Sequence, residues 1–173
     1  MLNVLPSMFV LGLAALAALR LVLNRWSPPE NATERLVAAR ALAFAIAVQS
    51  IHFAEEAATG FHERLGAVFG LPGMPFSGFV VFNVTWIVIW VAAVPGLQSG
   101  RTAAFFVAWF LAIAAMANGM AHPLLAIADG RYFPGLVSSP LLAVAGVWLW
   151  LRLSRATLPR DQRTSPSSRS VRL

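Results

Sequence analysis

The chain has 173 residues, 58 % of them hydrophobic and 12 % charged, with a mean hydropathy of +0.71, a balance that excludes an ordinary soluble domain. It has no cysteine, which excludes disulfides, thiolate metal sites and cysteine nucleophiles. The net charge of +6 comes from arginine alone, and Arg152, Arg155, Arg160, Arg163, Arg169 and Arg172 cluster at the C-terminal end, where anionic lipid headgroups meet them without any nucleic-acid partner.

The predicted class is an all-α, polytopic transmembrane helix bundle: a single transmembrane helical domain over 1–158 and an Arg/Ser-rich tail over 159–173, expected to be disordered and cytoplasmic. Five apolar segments, 5–24, 36–59, 78–95, 102–128 and 137–154, reach or approach the roughly 20 helical residues that cross a hydrocarbon core of about 30 Å. Ser27-Pro28-Pro29, the stretch from Gly70 to Ser77, Pro95-Gly96 with Ser99-Gly100, and Gly130 with Pro134-Gly135 separate them. The first segment has no basic residue before it and no Ala-x-Ala pattern after it, so it reads as a helix and not as a cleaved signal.

Arginine placement predicts the orientation. In a five-span arrangement Arg20, Arg25, Arg35, Arg40, Arg101 and the C-terminal arginines share one side, with only Arg64 and Arg131 on the other. The N-terminus is therefore expected outside and the C-terminus in the cytoplasm.

The second segment carries His52-Phe53-Ala54-Glu55-Glu56 near its outer end. One charged side chain near the middle of a span costs roughly 2.5–3.5 kcal/mol on insertion scales, so three together require pairing, protonation, water or a metal. His52 is expected roughly 24 Å and Glu56 roughly 30 Å from the cytoplasmic end, at 1.5 Å per residue. Gln49, His52, Glu55, Glu56, Thr59, His62 and Glu63 share an arc of about 140° if the helix persists past Gly60. Ala38, Ala41 and Ala45 continue that stripe and allow another helix to approach closely.

The third segment brings Asn83 into the same layer. The fourth brings Asn118 and His122 to the same two heights, one turn apart, with Asp129 in a similar direction if Pro123 does not bend the helix badly.

His52 and Glu56, four residues apart, can reach one ion from one helical face, the geometry by which H-E-x-x-H helices chelate zinc. His122 completes the ligand set, Glu55 is a third ligand, a general base or a bridge to a second ion, and Asn118 orients His122 or a substrate. Nitrogen and carboxylate donors without sulfur suit zinc, iron or manganese alike. His62, Glu63 and Asp129 are candidates for a second ion at the rim.

His52-x-x-Glu55-Glu56 near the outer end of an early span, followed by Asn118-x-x-x-His122 in a later one, resembles the HXXEE-domain family of small bacterial integral membrane proteins. The resemblance runs roughly from the second span to the fifth. It implies a shared polar site with metal dependence, in the bacterial inner membrane, and no particular substrate or reaction. The expected function is thus a membrane-embedded, metal-dependent enzyme, hydrolytic or oxidative, with catalytic Glu55, Glu56 and Asn118, acting on a lipid or isoprenoid-like substrate entering from the outer leaflet. Two alternatives stay open: a metal-independent enzyme using Glu55 and Glu56 as acid and base, and a protein that binds protons or cations for transport.

Overall fold

A computed structural model of the chain describes residues 5–160. Helix α1 (Leu5–Asn24) is followed by strand β1 (Arg25–Trp26) and one 3-10 turn at Pro29–Asn31. Then come α2 (Ala32–Thr59), α3 (Phe61–Val68), α4 (Phe76–Gln98), α5 (Thr102–Asp129), α6 (Ser139–Ala156) and strand β2 (Leu158–Pro159). The five expected segments match α1, α2, α4, α5 and α6 to within a few residues, because unbroken apolar runs between Pro/Gly clusters leave helix as the way to satisfy the backbone. Pro123 lies within α5, which continues through it to Asp129. Helices α2, α4 and α5 are long and apolar enough to cross a membrane; α1 and α6 are shorter.

Four helices close a ring in which α2 packs on α4 and α6, and α5 on α4 and α6, while α1 lies outside against α5. Ala38, Ala41 and Ala45 are fully buried, as the small-residue stripe requires. The closest helix approach is between α5 and α6: a Cβ on Gly119 would stand 2.3 Å from the Cβ of Ala143, and one on Gly146 would stand 2.9 Å from the carbonyl oxygen of Ala112. Backbones this near need glycine, and the approach brings the C-terminal half of α5 against the start of α6.

Two elements depart from the sequence reading. Gly60 takes φ +81°, and its N–H returns to the carbonyl of Glu56, closing α2 and starting the separate helix α3. Left-handed backbone of this kind is the usual stop for a helix, and it ends the polar stripe at Thr59. His62 and Glu63 consequently do not extend the face that carries His52 and Glu56. At the other end of the bundle, β1 and β2 pair antiparallel, Arg25 opposite Pro159 and Trp26 opposite Leu158. Pro159 therefore belongs to the folded unit, and the expected tail falls outside the described residues only from 161 onward.

Candidate metal centre

His52 and Glu56 project from one face of α2, and His122 meets them from α5. Oε1 of Glu56 stands 3.4 Å from Nε2 of His52 and 3.4 Å from Nε2 of His122. The two imidazoles are nearly perpendicular, with ring centroids 4.7 Å apart. His52 is 0 % exposed, His122 2 % and Glu56 4 %, so the group is buried within the bundle.

The other ring nitrogens are already committed. His122 Nδ1 lies 2.6 Å from the carbonyl oxygen of Pro134, which can only accept, so Nδ1 carries the proton. His52 Nδ1 lies 2.8 Å from Oγ of Ser138. That hydroxyl donates its single hydrogen to Oε2 of Glu55, and it is left to accept the Nδ1 proton of His52. Both imidazoles therefore turn an Nε2 lone pair towards Glu56, and Nε2 of His52 is buried without a hydrogen-bond partner among the described residues. With both rings neutral, three acceptors face one another with no donor between them. Buried acceptors in that arrangement lose their water and gain nothing in return unless a cation joins them.

The spacing suits such a cation. All three ligand atoms lie within 4.8 Å of one another, and tetrahedral ligands at bonds of about 2.0–2.1 Å stand about 3.3 Å apart, close to both His–Glu separations. Among the described residues this is the one group of three or more His, Asp or Glu side chains so arranged.

Glu55 does not join them. Successive helix residues point about 100° apart, so the Glu55 carboxylate leaves the His52–Glu56 face and turns to the α5–α6 connection. There Oε1 accepts from the hydroxyl of Tyr132 at 2.6 Å and from the amide of Val137 at 3.0 Å, while Oε2 accepts from the amide of Ser138 at 2.8 Å and from its hydroxyl. Four donors fill the lone-pair sites of one ionised carboxylate. Glu55 thus holds the segment that orients both histidines, instead of supplying a ligand.

No family model, curated protein or solved structure matches this chain. The role of the site is therefore argued from its own geometry.

The remaining candidates take other places. Asn118 lies one turn before His122 on α5, half-buried and outside the three-residue group. Asn83 donates to the carbonyl of Phe79 in its own helix. His62 packs its ring against Phe76 and Phe79, with Nε2 3.7 Å from Glu63, whose side chain is largely exposed. Asp129 pairs with Arg64 and Arg131. A second ion site from His62, Glu63 and Asp129 is not assembled, because two guanidiniums already neutralise Asp129 and α3 turns away after Gly60.

The sequence reading missed the α5–α6 connection. Gly135, at φ +88°, lies so close to the rings that an added Cβ would stand 2.6 Å from Cε1 of His122 and 2.9 Å from Cε1 of His52. Phe133 is fully buried, with its ring centroid 5.9 Å from that of His122. The one available signal was Ser138-Ser139 at the mouth of an apolar segment beside Pro134-Gly135, a combination that reads first as a loop.

Proposed function

We propose that this chain is an integral protein of the bacterial inner membrane whose His52–Glu56–His122 centre binds a divalent metal for a reaction on a lipophilic substrate. The convergence of two imidazole Nε2 atoms and one carboxylate oxygen in a buried group, with Nε2 of His52 lacking a hydrogen-bond partner, carries this reading. Zinc, iron and manganese all accept a two-nitrogen, one-oxygen set. A divalent ion held there supplies Lewis acidity towards a carbonyl, phosphoryl or water oxygen. Pro134 and Ser138 fix the tautomers, Glu56 supplies the negative charge, and Glu55 holds the connection in place. In this reading the two glutamates of the HXXEE-like motif divide the work.

Helices of 18 to 20 residues rise about 27–30 Å, so α1 and α6 complete five spans beside the three longer helices. Arginine placement then puts the N-terminus outside, the C-terminus in the cytoplasm and the metal centre in the outer half of the membrane. The three side chains are covered, so a substrate from the outer leaflet reaches the ligands only if part of that cover shifts. The paired-glutamate alternative has less support, because the carboxylates of Glu55 and Glu56 face different partners.

Metal analysis by mass spectrometry on protein purified in mild detergent without chelator tests the proposal. One ion per chain in wild type and none in His52→Ala or His122→Ala is the expected result. Wild-type protein that stays metal-free after reconstitution with zinc, iron(II) and manganese would overturn it.

A further inference from the structure

At the opposite end of the bundle, the last turn of α1, strand β1, the start of α5 and the residues after α6 enclose a cavity of about 190 Å³. Its lining includes Arg25, Ser27, Thr102, Trp109, Thr157 and Arg160, and it holds no carboxylate. Three of the five donors of Arg25 are used: Nε donates to Oγ1 of Thr157 at 2.8 Å, and Nη2 to the carbonyls of Ser154 at 2.9 Å and Thr157 at 2.8 Å. The Nη1 pair meets no acceptor among the described residues. Burial pushes the Arg25 guanidinium down from its ordinary pKa, the sign of a cation lacking a nearby anion.

Two further features lie at the same cavity. Helix α5 is 28 residues long and starts here, with Arg101 at its N-cap making no side-chain cap, so its first amides and the positive end of its dipole lie at the cavity beside Thr102. Trp109, which lines the cavity, is 1 % exposed, and its indole N–H is buried with no hydrogen-bond partner among the described residues. Two guanidiniums, a helix N-terminus and an unpartnered indole N–H without an acid describe a cradle for an anion with several acceptor oxygens.

We propose that this cavity binds a phosphate monoester or diester, carried either by an anionic lipid headgroup or by free phosphate. The site is separate from the metal centre and does not depend on the function proposed for it. Its position suits a lipid, because the arginine-rich end of the bundle is the one the charge rule assigns to the cytoplasmic leaflet, where anionic headgroups concentrate.

Thermal unfolding of the full chain in neutral maltoside micelles tests the proposal, with two titrants at constant ionic strength: sodium phosphate, and phosphatidylglycerol doped into the micelle. Arg160→Gln is the informative variant, because Arg160 is exposed and its one hydrogen bond, to the carbonyl of Val22, is long at 3.5 Å, whereas changing Arg25 disturbs the β1–β2 pair. Arg20→Gln, at the same end but not lining the cavity, controls for general charge attraction. Saturable stabilisation of wild type is expected, with apparent affinity about tenfold weaker in Arg160→Gln and unchanged in Arg20→Gln. A response to phosphatidylglycerol alone assigns the site to a lipid headgroup, and a response to both titrants extends it to free phosphate. No response to either, or equal weakening in both variants, overturns the proposal. Metal content, expected to be the same in all three proteins, reports separately on the other end of the bundle.

Discussion

Gly135 fills the space between its own backbone and the ring of His122: a Cβ there would stand 2.6 Å from Cε1 and 2.7 Å from Nδ1. The neighbouring Pro134 carbonyl accepts from the same Nδ1, so the approach and the hydrogen bond are one feature. Gly135→Ala is expected to cost about 1–3 kcal/mol through overpacking, and more through its left-handed backbone. Because the displaced ring belongs to the proposed metal centre, metal affinity is expected to fall by roughly 10–100-fold. Thermal unfolding in detergent and competition with a metallochromic chelator measure the two effects. A variant with wild-type metal affinity would show that the connection does not set the ring positions.

Glu55 and Glu56 are expected to respond differently to the same change. Glu55→Gln brings an amide N–H₂ against hydrogen-bond donors and leaves at least one of them unsatisfied, at about 1–3 kcal/mol. The metal is expected to remain at full stoichiometry but with weaker affinity, and the amides of Val137 and Ser138 to exchange hydrogen faster. Glu56→Gln removes the ligand charge itself and is expected to abolish binding. Loss of the ion in Glu55→Gln with retention in Glu56→Gln would reverse the two roles.

Tyr132 is the single tyrosine of the chain, so its phenol can be titrated without overlap from another. Burial, and then the bond to Glu55, raise its pKa above the ordinary value of 10.0, with a smaller opposing effect from Thr59. The neutral phenol is the form the fold prefers. Its tether to Glu55 is therefore fully present below the unfolded pKa and is lost as pH rises through the folded one. Alkaline difference absorbance should place the midpoint above that of a free tyrosine, and Glu55→Gln should move it back down. An unshifted midpoint in wild type would argue against the tether in solution.

Asp129 sits between Arg64 and Arg131 at the end of α5. Asp129→Asn is expected to lower stability by up to about 1 kcal/mol, as for a partly exposed ion pair, and to leave metal content unchanged. Glu63→Gln, at a largely exposed side chain, is expected to change neither. Loss of one equivalent of metal in either variant would revive the second ion site at the rim.

The sequence by itself determined the helices and put His52, Glu56 and His122, together with Glu55, into one candidate set. Long apolar runs broken by Pro and Gly bound the helices in one dimension, and His52 and Glu56 meet because four residues make nearly one turn of one helix. His122 was legible for a related reason: depth along a span follows from residue count, so a histidine in α5 could be placed level with a pair in α2. The short helix α3 was not legible, since continuing the polar stripe past Gly60 looked as favourable as stopping there until the left-handed turn was seen.

Only the tertiary structure decided what surrounds the three side chains. Whether Glu55 joins the ion or holds a loop depends on what lies about 100° around the helix from Glu56, and that is residues 132–138, more than seventy positions away. The same holds for the tautomers, fixed by Pro134 and Ser138, and for the Arg25 cavity, built where β1 pairs with a strand after α6. Periodicity encodes which residues share a face. It carries no information on which distant backbone comes to rest against that face, which is a matter of helix packing and of where small residues let backbones approach.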